Sequence, residues 1–418
     1  MLPKTAFLDR KFWANFSKHV WEKKPLVLRN VKSPLLEIDE TEIFKLLVLF
    51  SDRCRRLNSG LGFKFYVSGI QSHPEDVVQI LPVKKDKSLR GYHKRMSSFF
   101  ADYCLVCDEL LMANSEKQAL LTDFTNELYR HTGFPNRFSE MGLYLGNYRK
   151  TPFGVHVDRC GVFSFPVVGL KKFRLWTSSY VKKNPKLDRT FSYERYKKNS
   201  RVITAKPGDM TYWPSSAWHT AESDGAFSAT WSLGVWIDKP HKAIFSESLN
   251  LLLAEKFGIR GNSSSTAFKN LHSASGEVTQ LPKTFLQSIE ILKSLTSTEL
   301  EENFLKFWML HISLQGFKNI PHTDFKLRPN SQVTLQNDCA KILWQASKLQ
   351  KTKVFLSFGG VLVESKKSSG LHRLIESLNA GKTCLVGAFI KGTSKADIQS
   401  LQRLAVAGAF ALENVRRT

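Results

Sequence analysis

The chain has 418 residues, enough for two or three domains with substantial cores, and its apolar (42%) and aromatic (12%) content is that of a folded globular protein, not a disordered one. The opening MLPKTAFLDRKFW lacks the basic-then-apolar layout of a signal peptide and no apolar run approaches a membrane span, so a cytoplasmic protein without membrane association is expected. Sixty-one Lys and Arg against 37 Asp and Glu give a net charge of +24, which draws polyanions such as nucleic acid or acidic peptide and says nothing about fold.

In chain order, RKFWANFSKHVWEKKPLVLRNV predicts an amphipathic helix running into a short strand behind Pro25. CLVC at 104–107 is the one close pair among six scattered cysteines. It has no second pair or nearby histidines, and buried helix cysteines in a reducing compartment are expected rather than zinc. From 141 to 238 the texture is β: MGLYLGNY, GVFSFPVVG, KKFRLWT, RVITAKPGDMTYWP and AFSATWSLGVWI are short runs punctuated by Gly and Pro, the pattern of a sandwich or jelly-roll barrel. Beyond DKPH, apolar residues recur at three and four, predicting helices over SESLNLLLAEKFGI, PKTFLQSIEILKSL and STELEENFLKFWMLHISLQGF, the last opened by a Thr298/Glu301 capping box. The final 80 residues predict a helix near 337–347, a strand pair around TKVFLSFGGVLVES, a helix GLHRLIESLNAG, a strand-like TCLVGAFI and a last helix behind Thr393/Ser394. That alternation is compatible with a winged helix.

Three segments follow: 1–245 (39 basic, 24 acidic residues), 246–335 (9 and 8) and 336–418 (13 and 5). The middle one is near-neutral, apolar and periodic, which suits packing against the barrel or against a second copy in a homodimer. The last is basic enough to present charge to an anionic partner.

Within GVHVDRCGVFSFPVVGLKKFRLW, His156 and Asp158 sit two apart, so in a strand they share a face. An imidazole and a carboxylate converging on one point are two-thirds of the facial triad that leaves three positions open on Fe(II). Eleven histidines and 37 acidic residues give about one such spacing by chance, so context decides. GDMTYWPSSAWHTAES supplies it: an aromatic strand and a short loop deliver His219, which a second antiparallel strand can bring to the pair. Lys171 is the further piece. A lysine near the start of a buried strand needs a counter-charge, and a dicarboxylate co-substrate would provide one. Two readings stand for the Lys171–Lys172 pair, with either residue pointing inward and the other at the surface.

LYLGNYRKTPFGVHVDRCGVFSFPVVGLKKFRLW followed by GDMTYWPSSAWHTAES resembles the JmjC-type, cupin-fold 2-oxoglutarate oxygenases, and WEKKPLVLRN is similar to the strand that enters their barrel. The resemblance implies an α+β chain built on a double-stranded β-helix barrel over 1–245, with His156, Asp158 and His219 as iron ligands. It implies Lys171 as partner of the 2-oxoglutarate C5-carboxylate, and Tyr144, Thr230 and Ser232 in the co-substrate or substrate pocket. Val162 and Pro166 stand where some members carry Asn or Gln. The overall layout is similar to bacterial ribosomal oxygenases, which hydroxylate an Arg or His side chain. The expected function is therefore hydroxylation, with Fe(II), 2-oxoglutarate and O2, of a side chain in a ribosomal protein or a ribosomally made precursor peptide, the substrate being acidic or bound to RNA. Two other classes stay open: a basic nucleic-acid-binding protein with a non-catalytic barrel, and a small-molecule hydroxylase.

Overall fold

The computed structural model describes the chain apart from residues 1–4, 61, 224, 238–243, 258–274, 278–280, 282, 321–324, 337–339, 391–394 and 413–418. It has two compact units, Met1–Asp238 with Gln315–Pro321, and Lys239–Leu314 with His322–Thr418.

The first helix of this unit is α1 (Arg10–His19), whose Asp9 cap accepts the Phe12 N–H at 2.8 Å and whose buried stripe is Trp13 and Phe16. Chain extension after Pro25 gives β1 (Leu26–Leu28), as the sequence predicts. There follow α2 (Glu40–Arg56), β2 (Phe63–Val67), β3 (Ile70–Gln71), α3 (Pro74–Ile80), α4 (Leu89–Ser97), β4 (Tyr103–Asp108) and α5 (Ser115–Thr132). Cys104 and Cys107 lie on β4, so the expectation of helix cysteines is corrected. Tyr103 to Cys107 are all buried, and a strand covered on both faces reads as one continuous apolar run.

The β-rich segment supplies β5 (Ser139–Gly146), β6 (Cys160–Val168), β7 (Lys171–Trp176), β8 (Arg201–Ala205), β9 (Met210–Trp213), β10 (Trp218–Glu222) and β11 (Ser228–Trp236). An antiparallel eight-stranded sheet runs β1-β9-β6-β11-β5-β4-β2-β3, and a three-stranded one runs β8-β7-β10. Phe16, Phe124, Phe163, Tyr212 and Trp231 fill the core on the helix-covered face of the large sheet. Val162, Phe173, Leu175, Ile203 and Trp213 fill the space between the two sheets. The turn at Gly169 (φ 77°) does not close a hairpin. β6 stays in the large sheet and β7 joins the small one, so the turn carries the chain across the jelly roll. Gln315–Pro321 also belongs to this unit, where Ser139 donates to the Gly316 carbonyl and Phe317 is buried.

In the second unit the three predicted helices form α6 (Ser246–Phe257), α7 (Lys283–Ser294) and α8 (Ser297–Ser313). The capping box of α8 is Thr296 with Glu299, not Thr298 with Glu301. LTSTELEE contains the same Thr-x-x-Glu signal twice, and the earlier copy starts the helix. Next come β12 (Gln332–Leu335), β13 (Leu343–Ala346), β14 (Lys353–Phe358), β15 (Val361–Lys366), α9 (Ser369–Asn379), β16 (Cys384–Leu385), α10 (Lys395–Val406) and β17 (Phe410–Leu412). The helix expected near 337–347 is instead the strand β13, with 337–339 outside the described residues. TCLVGAFI is a strand for two residues only and then turns into a short helix, Val386–Phe389. The Thr393/Ser394 cap also lies outside the described residues. Two antiparallel sheets result, β16-β12-β17 and β13-β14-β15.

Candidate metal centre

His156 and Asp158 were expected on a strand, but both lie in the extended link between β5 and β6. Two isolated antiparallel bridges, Lys150 with Glu222 and His156 with His219, tie that link to β10. His156 N–H donates to the His219 carbonyl at 3.0 Å and His219 N–H returns a bond of 2.7 Å. Behind His156, Val155 N–H donates to Thr190 O and Arg189 N–H to Val155 O. Gly154 (φ 66°) makes that approach feasible, since a Cβ there would meet the Arg189 carbonyl at 2.7 Å. On the other side, Tyr212 O–H and Ser215 N–H donate to the Glu22 carboxylate, which braces the turn leading into β10.

The two histidine rings lie 4.3 Å apart, centroid to centroid. Each turns Nδ1 to a carbonyl, His156 to Gly154 O at 3.0 Å and His219 to Ala217 O at 3.1 Å. That fixes the tautomer and aims both Nε2 atoms at Asp158, whose Oδ2 lies 3.7 Å from His156 and 3.4 Å from His219. The three ligand atoms fall within 4.8 Å of one another, and this is the one such metal-capable group among the described residues. Burial and the neighbouring His219 push His156 down to about 4, so its imidazole is neutral and ready to donate a lone pair. Burial raises the Asp158 carboxyl, but the neighbouring His219, His156 and Arg189 outweigh it and hold the group below its ordinary value.

These residues line a cavity of about 290 Å³, walled by Phe153, Trp213 and Trp236. Of the two candidate lysines, Lys171 is inward, 2% exposed, while Lys172 is half-buried on the opposite face of β7. Lys171 donates to the Tyr148 hydroxyl and lies over the Tyr148 ring, 4.2 Å from its centroid. Among the described residues no carboxylate is within ion-pair distance, and burial lowers the ammonium to about 8. Tyr144, Thr230 and Ser232 line the same cavity, Thr230 paired with Tyr144 in register. Thr230 Oγ1 and Trp213 Nε1 are buried there without a hydrogen-bond partner among the described residues.

Among the lining or contacting residues that sequence reasoning passed over, four are polar and bear on the chemistry proposed below: Tyr148, Asp108, Glu140 and Lys64. Tyr148 had a signal, since it is four residues after Tyr144 in one extended run and shares its side. The other three had none, because strand register brings them in. Asp108 pairs with Gly142, two residues from Glu140, and Lys64 holds Asp108 at 2.7 Å. Burial and the charges of Asp108 and Glu109 raise the Glu140 carboxyl.

A family model for the JmjC domain matches residues 122–242. No curated protein sequence matches the chain. Among solved structures the chain is similar to Escherichia coli YcfD, with 15% identity over 96% of this chain and 98% of that one and a TM-score of 0.51. The same figures hold for YcfD, described as a ribosomal oxygenase, in complex with cobalt and succinic acid. The complex of YcfD with cobalt and 2-oxoglutarate, also at 15% identity and the same coverage, gives 0.50. At such identity the likeness shows a shared fold. Residues 122–242 thus form a JmjC domain, carried on a cupin-type fold of mixed helices and sheets.

Proposed function

We propose that the chain hydroxylates a side chain of a protein or peptide at a centre ligated by His156, Asp158 and His219. Its JmjC domain gives the reaction class, a 2-oxoglutarate-dependent oxygenase. The donor set fits the metal: two imidazoles with Nε2 free and one ionised carboxylate on one side of a cavity. It fits the co-substrate as well. Lys171 is a buried cation lacking a counter-ion, and Thr230 Oγ1 and Trp213 Nε1 are unmet polar atoms in the same wall. Fe(II) held by these residues with 2-oxoglutarate would supply O2 activation, one oxygen atom going to a substrate C–H bond and the other to the succinate formed as 2-oxoglutarate loses CO2. The protein's part is placement. Lys171 takes the distal carboxylate of the keto acid and Tyr148 holds the Lys171 ammonium in line, while Tyr144, Thr230 and Ser232 shape the space beside the metal. Phe153, Trp213 and Trp236 exclude water.

The single observation that carries this reading is Lys171, a charge that burial penalises until a dianion arrives. Asp108 and Glu140 at the same cavity favour a cationic side chain as the group presented for oxidation. A ribosomal protein or a ribosomally made precursor peptide would meet the requirement. The test is incubation of the iron-loaded protein, 2-oxoglutarate and O2 with ribosomal proteins and with candidate precursor peptides. Mass spectrometry should find one oxygen added to a single basic residue, matched by succinate. Succinate release that responds only to free small molecules would overturn the polypeptide substrate.

The accessory segments fit this reading. The barrel segment 1–245 carries the chemistry, and the basic segment 336–418 is a winged-helix-like unit for an anionic partner. The segment 246–335 supplies a homodimer contact, since α7 leaves Phe285, Leu286 and Ile289 exposed on a periodic apolar face. Sedimentation should show a dimer that Phe285→Glu with Ile289→Glu splits into monomers of unchanged melting temperature. No described helix is long and apolar enough to cross a membrane, and cytoplasmic residence suits the proposed substrates.

A further inference from the structure

The sheet β13-β14-β15 of the second unit ends on an open edge. β15 pairs with β14 on one side, and no described strand pairs with it on the other. The two strands are joined by Gly359 and Gly360, both at positive φ (59° and 74°), the conformation of a two-residue hairpin turn. Such a turn closes on a hydrogen-bonded pair, here Phe358 with Val361. Alternation along the ladder then directs the N–H and C=O of Leu362, Glu364 and Lys366 away from β14. Arg403 Nη2 reaches the Leu362 carbonyl at 3.4 Å, and the outward groups of Glu364 and Lys366 remain as a template for another strand.

α10 runs beside this edge. Ala396, Gln399, Ser400 and Arg403 recur at the three- and four-residue spacing of one helix face, and with Ser365 and Lys366 they line a groove of about 390 Å³. Its charge is lopsided. Lys353, Lys366 and Arg403 line it against one acid, Glu364, which Lys353 (3.2 Å) and Lys306 (3.4 Å) already engage.

We propose that β15 and α10 form a docking groove in which an acidic, extended segment of the polypeptide substrate, remote from the oxidised residue, adds as a fourth strand. The inference rests on the polypeptide substrate proposed above. Peptide is favoured over nucleic acid because an unpaired strand edge offers alternating donors and acceptors that a peptide backbone meets and a phosphodiester backbone does not. A second copy of this chain is disfavoured because two edges bearing Lys366 and Arg403 would repel.

The test is anisotropy titration of the full-length protein, without 2-oxoglutarate, using three labelled probes. They are a short peptide alternating glutamate and valine, the same peptide N-methylated at alternate residues, and an oligouridylate of matching charge. The plain peptide should bind saturably, and N-methylation should weaken it about ten-fold by removing the edge hydrogen bonds. Lys366→Glu with Arg403→Glu should weaken the plain peptide about ten-fold by charge reversal. Gln399→Trp should do the same by filling the groove. All three positions are exposed, so melting temperatures should hold. Equal binding of both peptides would reduce the site to diffuse charge and overturn the proposal. So would absence of saturable binding, indifference to the variants, or tighter oligouridylate binding lost in the same variants. Binding by the Asp158→Ala protein should equal wild type. In the wild-type protein, turnover without saturable peptide binding therefore sinks the groove alone, and peptide binding without turnover sinks the oxygenase reading alone.

Discussion

The cavity meets charge in opposite ways at its two ends. β5 gives the scale. Cys104 and Ser228 pair with Gly146 beside the Lys171 end, whereas Asp108 and Ser232 pair with Gly142. Four strand residues separate those levels, about 13 Å at the usual strand rise. At the first end one ammonium is buried against the Tyr148 ring with no counter-ion among the described residues, so the described protein is electrostatically incomplete there. At the second, Asp108 and Glu140 sit with Lys64, whose side chain is 47% exposed, so solvent and that lysine already relieve the acids. Under the proposed function, the closed end would take the dianionic co-substrate and the open one an exchanging cation. The metal candidates His156, Asp158 and His219 line the same cavity.

Removing the metal site should have the largest effect. Asp158→Ala deletes one of the three proposed ligands and the negative charge among them, so 2-oxoglutarate-to-succinate conversion should fall to the metal-free background. Circular dichroism and melting should stay close to wild type, because the Asp158 side chain is one-third exposed and packs in neither core. Wild-type succinate release from the purified variant would remove Asp158 from the site.

The closed end comes next. Lys171→Ala should raise the 2-oxoglutarate concentration needed for half-maximal turnover, because an ammonium–carboxylate bond in a dry pocket contributes about 1.5–3 kcal/mol, roughly ten- to a hundredfold. The KM for the polypeptide should hardly move. The open end should give the reverse pattern. Asp108→Asn with Glu140→Gln should raise the polypeptide KM about ten-fold, as expected for losing charged partners near the surface, while the 2-oxoglutarate KM stays put. If the two double readouts moved together, the cavity would have no division of labour and the assignment of its ends would fail.

How much of this was legible in the sequence follows the range of the contacts involved. His156, Asp158 and Lys171 lie within sixteen residues, but a His-x-acid spacing is expected about once by chance and either lysine could point inward, so it was the resemblance to the JmjC-type oxygenases that joined them in one site. His219 was reachable because an aromatic strand and a Pro-containing turn announce it. Asp108 and Glu140 were not, because only the register of β4 on β5 makes them neighbours. The same limit explains the elements read wrongly. β4 is apolar on both faces, which carries no period, and β13 has a pattern that helix and strand share until β14 pairs with it. The α8 start failed for another reason, two overlapping caps of equal local merit.

The smallest effect is a pH dependence that isolates the closed end. Burial lowers Lys171 to about 8 in the folded chain from an ordinary 10.5. Between those values the unfolded chain keeps the proton that the folded one has released, so the unfolded state binds more protons and stability rises with pH across the window. Below pH 8 the ammonium is charged in both states, and its burial is a standing destabilisation. Lys171→Met keeps much of the volume and removes the charge. Without ligands it should therefore melt above wild type at pH 7, and the gap should close as pH climbs from 8 towards 10.5. 2-Oxoglutarate with a redox-inert divalent metal reverses the sign. The ammonium then has a partner and its pKa rises, so the ligand-induced increase in wild-type melting temperature should be full at pH 7 and shrink above pH 8. Calorimetric scans of both proteins, with and without ligand, read all four curves. A gap that stays constant with pH would mean that Lys171 is already paired in the free protein, and the electrostatic difference between the two ends would vanish.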